Sequence, residues 1–172
     1  MKRIIIYALI TIIVTPFVVS CKRFETYPTG FRNNADYGIT VYSILIPPYD
    51  YSHCILFPDT SLPSQKPLQM VKIAPNDYVV TNEVSCLNVA ELYGTFHTDT
   101  ISFFVFSTDT LEKYGWDSVQ KAYNILQRYD IGVDDYKLLE PNYPTFPPTE
   151  KMRNIKMWPP YGTYDALGHR RE

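Results

Sequence analysis

The sequence predicts an α+β fold: an antiparallel or mixed sheet of about five to seven strands with a helical unit over residues 109–139 packed on one face. Three observations predict it. Short runs rich in β-branched and aromatic residues recur between proline-bearing turns, as in ITVYSILI after Gly38, stopped by Pro47 and Pro48. The run ISFFVF at residues 101–106 is almost continuously apolar, the pattern of a central strand covered on both faces. Downstream, Asp109-Thr110-Leu111-Glu112 has the spacing of a capping box. The same elements also allow a two-sheet β-sandwich with the helices appended.

Taken in order, residues 22–36 show no apolar period and read as a tether, so the fold is expected to begin near Tyr37. After the first strand, the proline-rich stretch that follows reads as a long loop with one short strand at residues 54–57. Further strands are expected at residues 68–73, at 78–81 after the turn Ala74-Pro75-Asn76-Asp77, and at 86–92. The capping box opens a helical turn to Tyr114, Gly115 allows a bend, and Trp116 opens a second helix to about Tyr129. Trp116, Val119, Tyr123 and Leu126 form its apolar stripe. Asp134 then caps a further turn ended by Pro141. One closing strand is expected at residues 155–158. The domain reading is therefore an export segment at 1–20, a tether at 21–36, one globular domain at 37–160 and an irregular tail at 161–172.

The amino-terminal segment carries an address. Lys2 and Arg3 precede an apolar stretch over residues 4–17, shorter than the roughly 20 residues of a membrane-spanning helix. It ends in Val18-Val19-Ser20-Cys21, which resembles the bacterial lipobox. That resemblance implies a diacylglyceryl group on the Cys21 thiol, cleavage just before it and acylation of the new amino terminus. Two or more acyl chains make membrane residence stable where one does not. A second resemblance rests on DTISFFVFSTDTLEKYGWDSVQKAYNILQRYDI at residues 99–131, which is similar to a segment of small Bacteroidales lipoproteins with no assigned activity. It implies a lipid-anchored cell-envelope location, outer membrane first, and a fold type. The single acidic residue in Lys22-Arg23-Phe24-Glu25 favours the periplasmic over the surface-exposed face without deciding it.

Without residues 1–20 the chain carries fourteen basic and eighteen acidic residues, a net charge of −4. This balance excludes nucleic acid as a partner, because phosphate neutralisation needs clustered Lys and Arg. Cys54 and Cys86 are the thiols left after lipidation of Cys21, and they either pair as a disulfide or stay separately buried.

No metal ligand set is expected, since His53, His97 and His169 are dispersed and no Cys-x-x-Cys occurs. Apart from the covalent lipid no cofactor is expected, and no nucleophile elbow or phosphate-binding glycine loop is present. Asp50, Asp59, Asp99 and Asp109 lie in or beside loops, but Asp59, Asp99 and Asp109 each precede Thr, which fits Asx turns and caps. The excess is aromatic: fifteen Tyr, nine Phe and two Trp. Tyr49, Tyr51, Tyr143, Phe146, Trp158 and Tyr161 sit in proline-bordered segments and form the candidate binding surface for a glycan or envelope protein. A noncatalytic binding or structural module is the leading expectation, and an envelope hydrolase acting on glycan or peptidoglycan is the alternative.

Overall fold

The computed structural model describes residues 29–43, 61–67, 70–81, 100–139 and 143–172. Its fold is α+β. Strand β5 (Thr100–Ser107) lies between β2 (Ile39–Tyr42) and β6 (Gln127–Gly132), and β3 (Met70–Ile73) and β8 (Lys156–Trp158) close the two edges. This five-stranded sheet, ordered β3-β2-β5-β6-β8, is antiparallel throughout. A second sheet places β1 (Thr29–Asn33) between an antiparallel β4 (Tyr78–Thr81) and a parallel β7 (Thr145–Phe146). Helix α1 (Thr108–Ala122) follows β5, and the short α2 (Val133–Leu138) follows β6.

The strand period of two explains the layering. Ile101, Phe103 and Val105 of β5 point to the smaller sheet, where they join Phe31 of β1 and Phe146 of β7 in one buried cluster. The Phe31 ring lies 6.1 Å from Phe103 and 6.2 Å from Tyr129. Phe104 and Phe106 point the other way, into a second cluster with Tyr42, Trp116, Val119 and Ile125, and Trp116 meets Phe106 edge-on at 5.8 Å. The five-stranded sheet is thus the middle of three layers, and β5 is buried on both faces as its apolar run predicts. Each buried Phe contributes roughly 2 to 3 kcal/mol, so Phe103, Phe104 and Phe106 together outweigh any exposed ion pair in the molecule.

The chain crosses between the sheets from β1 to β2 and again from β3 to β4, and the buried Asn33 joins these two crossings. Its side-chain nitrogen lies 2.8 Å from the Tyr37 carbonyl, 3.0 Å from that of Ala74 and 3.3 Å from that of Ile73. Its side-chain oxygen accepts the Ala35 N–H at 3.0 Å.

Several expectations need correction. The fold begins before Tyr37: β1 falls in the stretch read as tether, and Phe31 is fully buried. The helix cap is Ser107, whose hydroxyl accepts the Thr110 N–H at 3.2 Å, two residues before the expected Asp109. Gly115 does interrupt the helix, with φ 73°. Helix α1 stops at Ala122, because Tyr123 takes the left-handed conformation (φ 50°), and the residues expected to continue it form β6 against β5. At the start of α2 the Asp135 carboxylate accepts the Gly132 N–H at 3.0 Å. Besides β8, the carboxyl-terminal part supplies the unforeseen β7. The tail is irregular but docked: Tyr164 donates to the Leu126 carbonyl at 2.6 Å, and Tyr37 donates to the Gly168 carbonyl at 2.7 Å. The strands expected at residues 54–57 and 86–92 lie outside the described residues. Among the described residues no helix is long and apolar enough to cross a membrane.

Candidate functional site: a groove beside the smaller sheet

The parallel pairing of β7 with β1 sets Thr145 opposite Arg32 and brings Asn34 beside the segment that follows β7. That segment turns through a single 3-10 turn, Glu150–Met152, pinned by the fully buried Met152. The Met152 sulfur accepts from both the Thr145 N–H and its hydroxyl at 3.5 Å. Burying Met152 leaves Glu150 and Lys151 on the outside, facing Arg32 and Asn34. The docked tail adds the opposite wall.

Two adjoining cavities result, of about 280 and 520 Å³. The smaller is lined by Arg32, Tyr143, Thr145 and Lys151, and the larger by Arg153, Tyr161, Tyr164, Asp165 and Arg171. Asn34, Thr149 and Glu150 line both, so the two adjoin and together make up the groove.

Its acidic groups are engaged. Glu150 accepts from Tyr161 at 2.9 Å and binds Arg153 through both oxygens, at 2.8 and 2.9 Å. The Tyr161 hydroxyl, with Arg153 beside it, holds the Glu150 carboxyl below its ordinary value. Asp165 accepts the backbone N–H groups of His169 and Leu167, each at 2.9 Å, and these bonds, that from His169 foremost, hold its carboxyl low as well. Arg153 also lies over the Tyr161 ring at 5.3 Å. Arg32 lies over the Tyr78 ring at 5.4 Å. Among the described residues Arg32, Lys151 and Arg171 take part in no ion pair.

A second polar constellation lies on the helix-facing side of the five-stranded sheet, where the register sets Asp130 between Ser102 and Lys156. The Asp130 carboxylate accepts from Ser102 at 2.7 Å and from Arg128 at 2.8 Å, with Lys156 at 3.2 Å. Burial pushes the Asp130 carboxyl up, but the hydrogen bonds from Arg128 and Ser102 outweigh it and leave the group below its ordinary value. A carboxylate held so low is a weak base, and Ser102 gains no activation from it. Its role is to cross-link β5, β6 and β8.

Of the aromatic residues singled out from the sequence, Tyr143 and Tyr161 line the groove. Phe146 is corrected: it is fully buried on β7, packed edge-on against Tyr164 at 5.1 Å, and belongs to the core. Trp158 is 51 % exposed on the edge strand β8, its ring 5.6 Å from Tyr123, and lines neither cavity. Cys21, Tyr49, Tyr51, Cys54 and Cys86 lie outside the described residues. Sequence reasoning missed Arg32, Asn34, Thr149, Glu150, Lys151 and Arg171. The charged, proline-bordered PPTEKMRN was the available signal for three of them. Among the described residues no group of three or more His, Cys, Asp and Glu is placed to hold a metal ion.

Comparison with known proteins returns no match: no family model, no curated protein and no solved structure aligns significantly with this chain.

Proposed function

We propose that the chain is a lipid-anchored cell-envelope protein, held in the outer membrane by an acylated Cys21, whose domain is a noncatalytic module that binds an envelope ligand in the groove around Asn34. The observation that carries the binding half is the groove itself: two adjoining cavities with Tyr143 and Tyr161 in their walls and polar side chains between them. Hydrolysis of a glycosidic bond would need a carboxyl raised towards neutral pH as general acid. Both described carboxyls of the groove, Glu150 and Asp165, are shifted the other way, which favours binding over hydrolysis.

The anchor adds a distance. Eight Cα-to-Cα steps lead from the lipidated Cys21 to Thr29, the first residue of β1. Fully extended, they reach at most about 29 Å. A domain on so short a lead works in the layer next to the membrane.

Two measurements test the proposal. The intact mass of membrane-extracted protein should equal residues 21–172 plus acyl chains, and a Cys21→Ser variant should lose the acyl mass. Extracted protein should also co-sediment with insoluble envelope glycan without releasing soluble sugar, and Tyr143→Ala with Tyr161→Ala should leave it in the supernatant. An unmodified mass beginning elsewhere would refute the anchor. Tyrosine variants that pellet like wild type would refute the groove, and released sugar would turn the reading to the hydrolase.

A further inference from the structure

Resting on the binding reading above, we infer that the groove accepts an acidic glycan, a linear oligosaccharide bearing carboxylate or sulfate groups. Charge is the first argument. Among the described residues the two cavities together are lined by four cations, Arg32, Lys151, Arg153 and Arg171, and two anions, Glu150 and Asp165. Their balance of +2 opposes the net charge of −2 on the whole chain. Arg153 is spent on Glu150, and Asp165 on backbone N–H groups. The charge left over belongs to Arg32 and Lys151 at one end and Arg171 at the other. A ligand carrying more than one negative charge along its length can meet both cavities, whereas a single compact anion would satisfy one only.

The groups between the cations are those that recognise sugar hydroxyls. Asn34 lines both cavities, and among the described residues its side-chain amide has no hydrogen-bond partner, leaving a donor and an acceptor side by side. Thr149, also common to both, makes no cap hydrogen bond with its hydroxyl although it stands at the cap position of the 3-10 turn. Tyr143 and Tyr161 supply half-buried rings against which the apolar face of a pyranose can lie. The shape agrees, since two modest cavities joined at Asn34 and Thr149 suit consecutive rings of a strand better than one bulky group.

The test is titration calorimetry on the full-length lipidated protein in detergent micelles, with a galacturonate hexamer and a chondroitin sulfate hexasaccharide as acidic probes and cellohexaose as the neutral one. The acidic probes should bind, more weakly as salt is raised. Lys151→Gln, Arg32→Gln and Asn34→Ala should each weaken binding about tenfold. Lys113→Gln, on the outer face of α1, should change nothing, and thermal melts should show each variant folded. Equal binding of cellohexaose, unaffected by Lys151→Gln, would overturn the acidic class. Binding of poly-glutamate or of phosphatidylglycerol vesicles in place of the glycans, with the same variant dependence, would overturn the glycan. If no probe binds while Tyr143→Ala with Tyr161→Ala still abolishes co-sedimentation, the ligand class is wrong and the groove stands. If those tyrosine variants pellet normally, the groove reading has failed with it.

Discussion

The Tyr129 hydroxyl donates to the Thr145 carbonyl at 2.7 Å, joining the middle strand pair of the large sheet to the shortest strand of the small one. Tyr129 is fully buried, and burial pushes its hydroxyl well above the ordinary tyrosine value, so it remains a donor at all physiological pH. Removing that donor while keeping the ring isolates the bond. Tyr129→Phe should lower stability by about 1 to 2 kcal/mol. For a chain of this size that is a fall of roughly 2 to 8 °C in Tm, read by circular dichroism. An unchanged Tm would mean that ring packing alone holds the sheets together.

Asn33 should be less replaceable than any surface polar residue, because its amide serves two chain crossings at once, β1 to β2 and β3 to β4. Asn33→Ala takes the side-chain partners from Ala35 N–H and from the carbonyls of Tyr37, Ile73 and Ala74 together. With about 1 to 3 kcal/mol for each buried polar group left unsatisfied, a loss of about 3 kcal/mol or more is expected in urea unfolding. Asn33→Asp, nearly the same shape, should be at least as damaging at neutral pH, since it replaces a donor by a charge among carbonyl oxygens. A Asn33→Asp variant as stable as wild type would refute this bonding scheme.

The contrast between Asn33 and β5 shows what the sequence could reveal. Strands β2, β3, β4 and β5 are legible because their apolar residues recur locally, and β5 announces its double burial in its own composition. Strand β1 is not, for Thr-Gly-Phe-Arg-Asn offers one apolar residue, and its partners lie at residues 78–81 and 145–146. Strand β6 was masked by a helical period that runs through Tyr123 and Leu126. The break comes at a tyrosine in the left-handed conformation, where a glycine would have signalled it. The groove was half legible. Proline-bordered aromatics pointed to Tyr143 and Tyr161, yet the same signature covers Phe146, which β7 turns into the core. Arg32 and Asn34 join the groove only through the parallel pairing of β1 with β7, a contact between distant segments that no local pattern encodes.

Gly168 should prove as important to the groove as residues that line it. It has φ 87°, and a Cβ there would sit 2.8 Å from the Ala35 Cβ and 3.1 Å from the Tyr37 hydroxyl oxygen. Gly168→Ala therefore strains the backbone and pushes the tail from its seat, at a cost of about 1 to 3 kcal/mol. The displaced segment carries Tyr164, Asp165 and Arg171, all in the wall of the larger cavity. Limited proteolysis should cut the variant faster near its carboxyl terminus, and groove binding should weaken although no lining residue has changed. Wild-type protease resistance would show that the tail has another seat.

Acid should unfold the protein partly through Asp130. Hydrogen bonds from Arg128 and Ser102, with Lys156 alongside, hold its carboxyl below the ordinary 3.8 despite the opposing effect of burial. A carboxyl lowered by folding stabilises the native state above its unfolded value, and that stability is lost as pH falls through the folded value. The contribution is thus complete at neutral pH and declines below about pH 4. Asp130→Asn leaves the 4 % exposed Arg128 side chain without its carboxylate. It should cost about 3 to 5 kcal/mol at pH 7. In urea unfolding at pH 7, 4 and 3 the gap between wild type and variant should shrink step by step as the wild-type carboxyl protonates. Replacing both charges, Arg128→Met with Asp130→Leu, should recover much of the neutral-pH loss, because the penalty lies in an unpaired buried charge more than in the absence of the pair. A deficit that stayed constant from pH 7 to pH 3 would mean that Asp130 acts through its shape and not its charge.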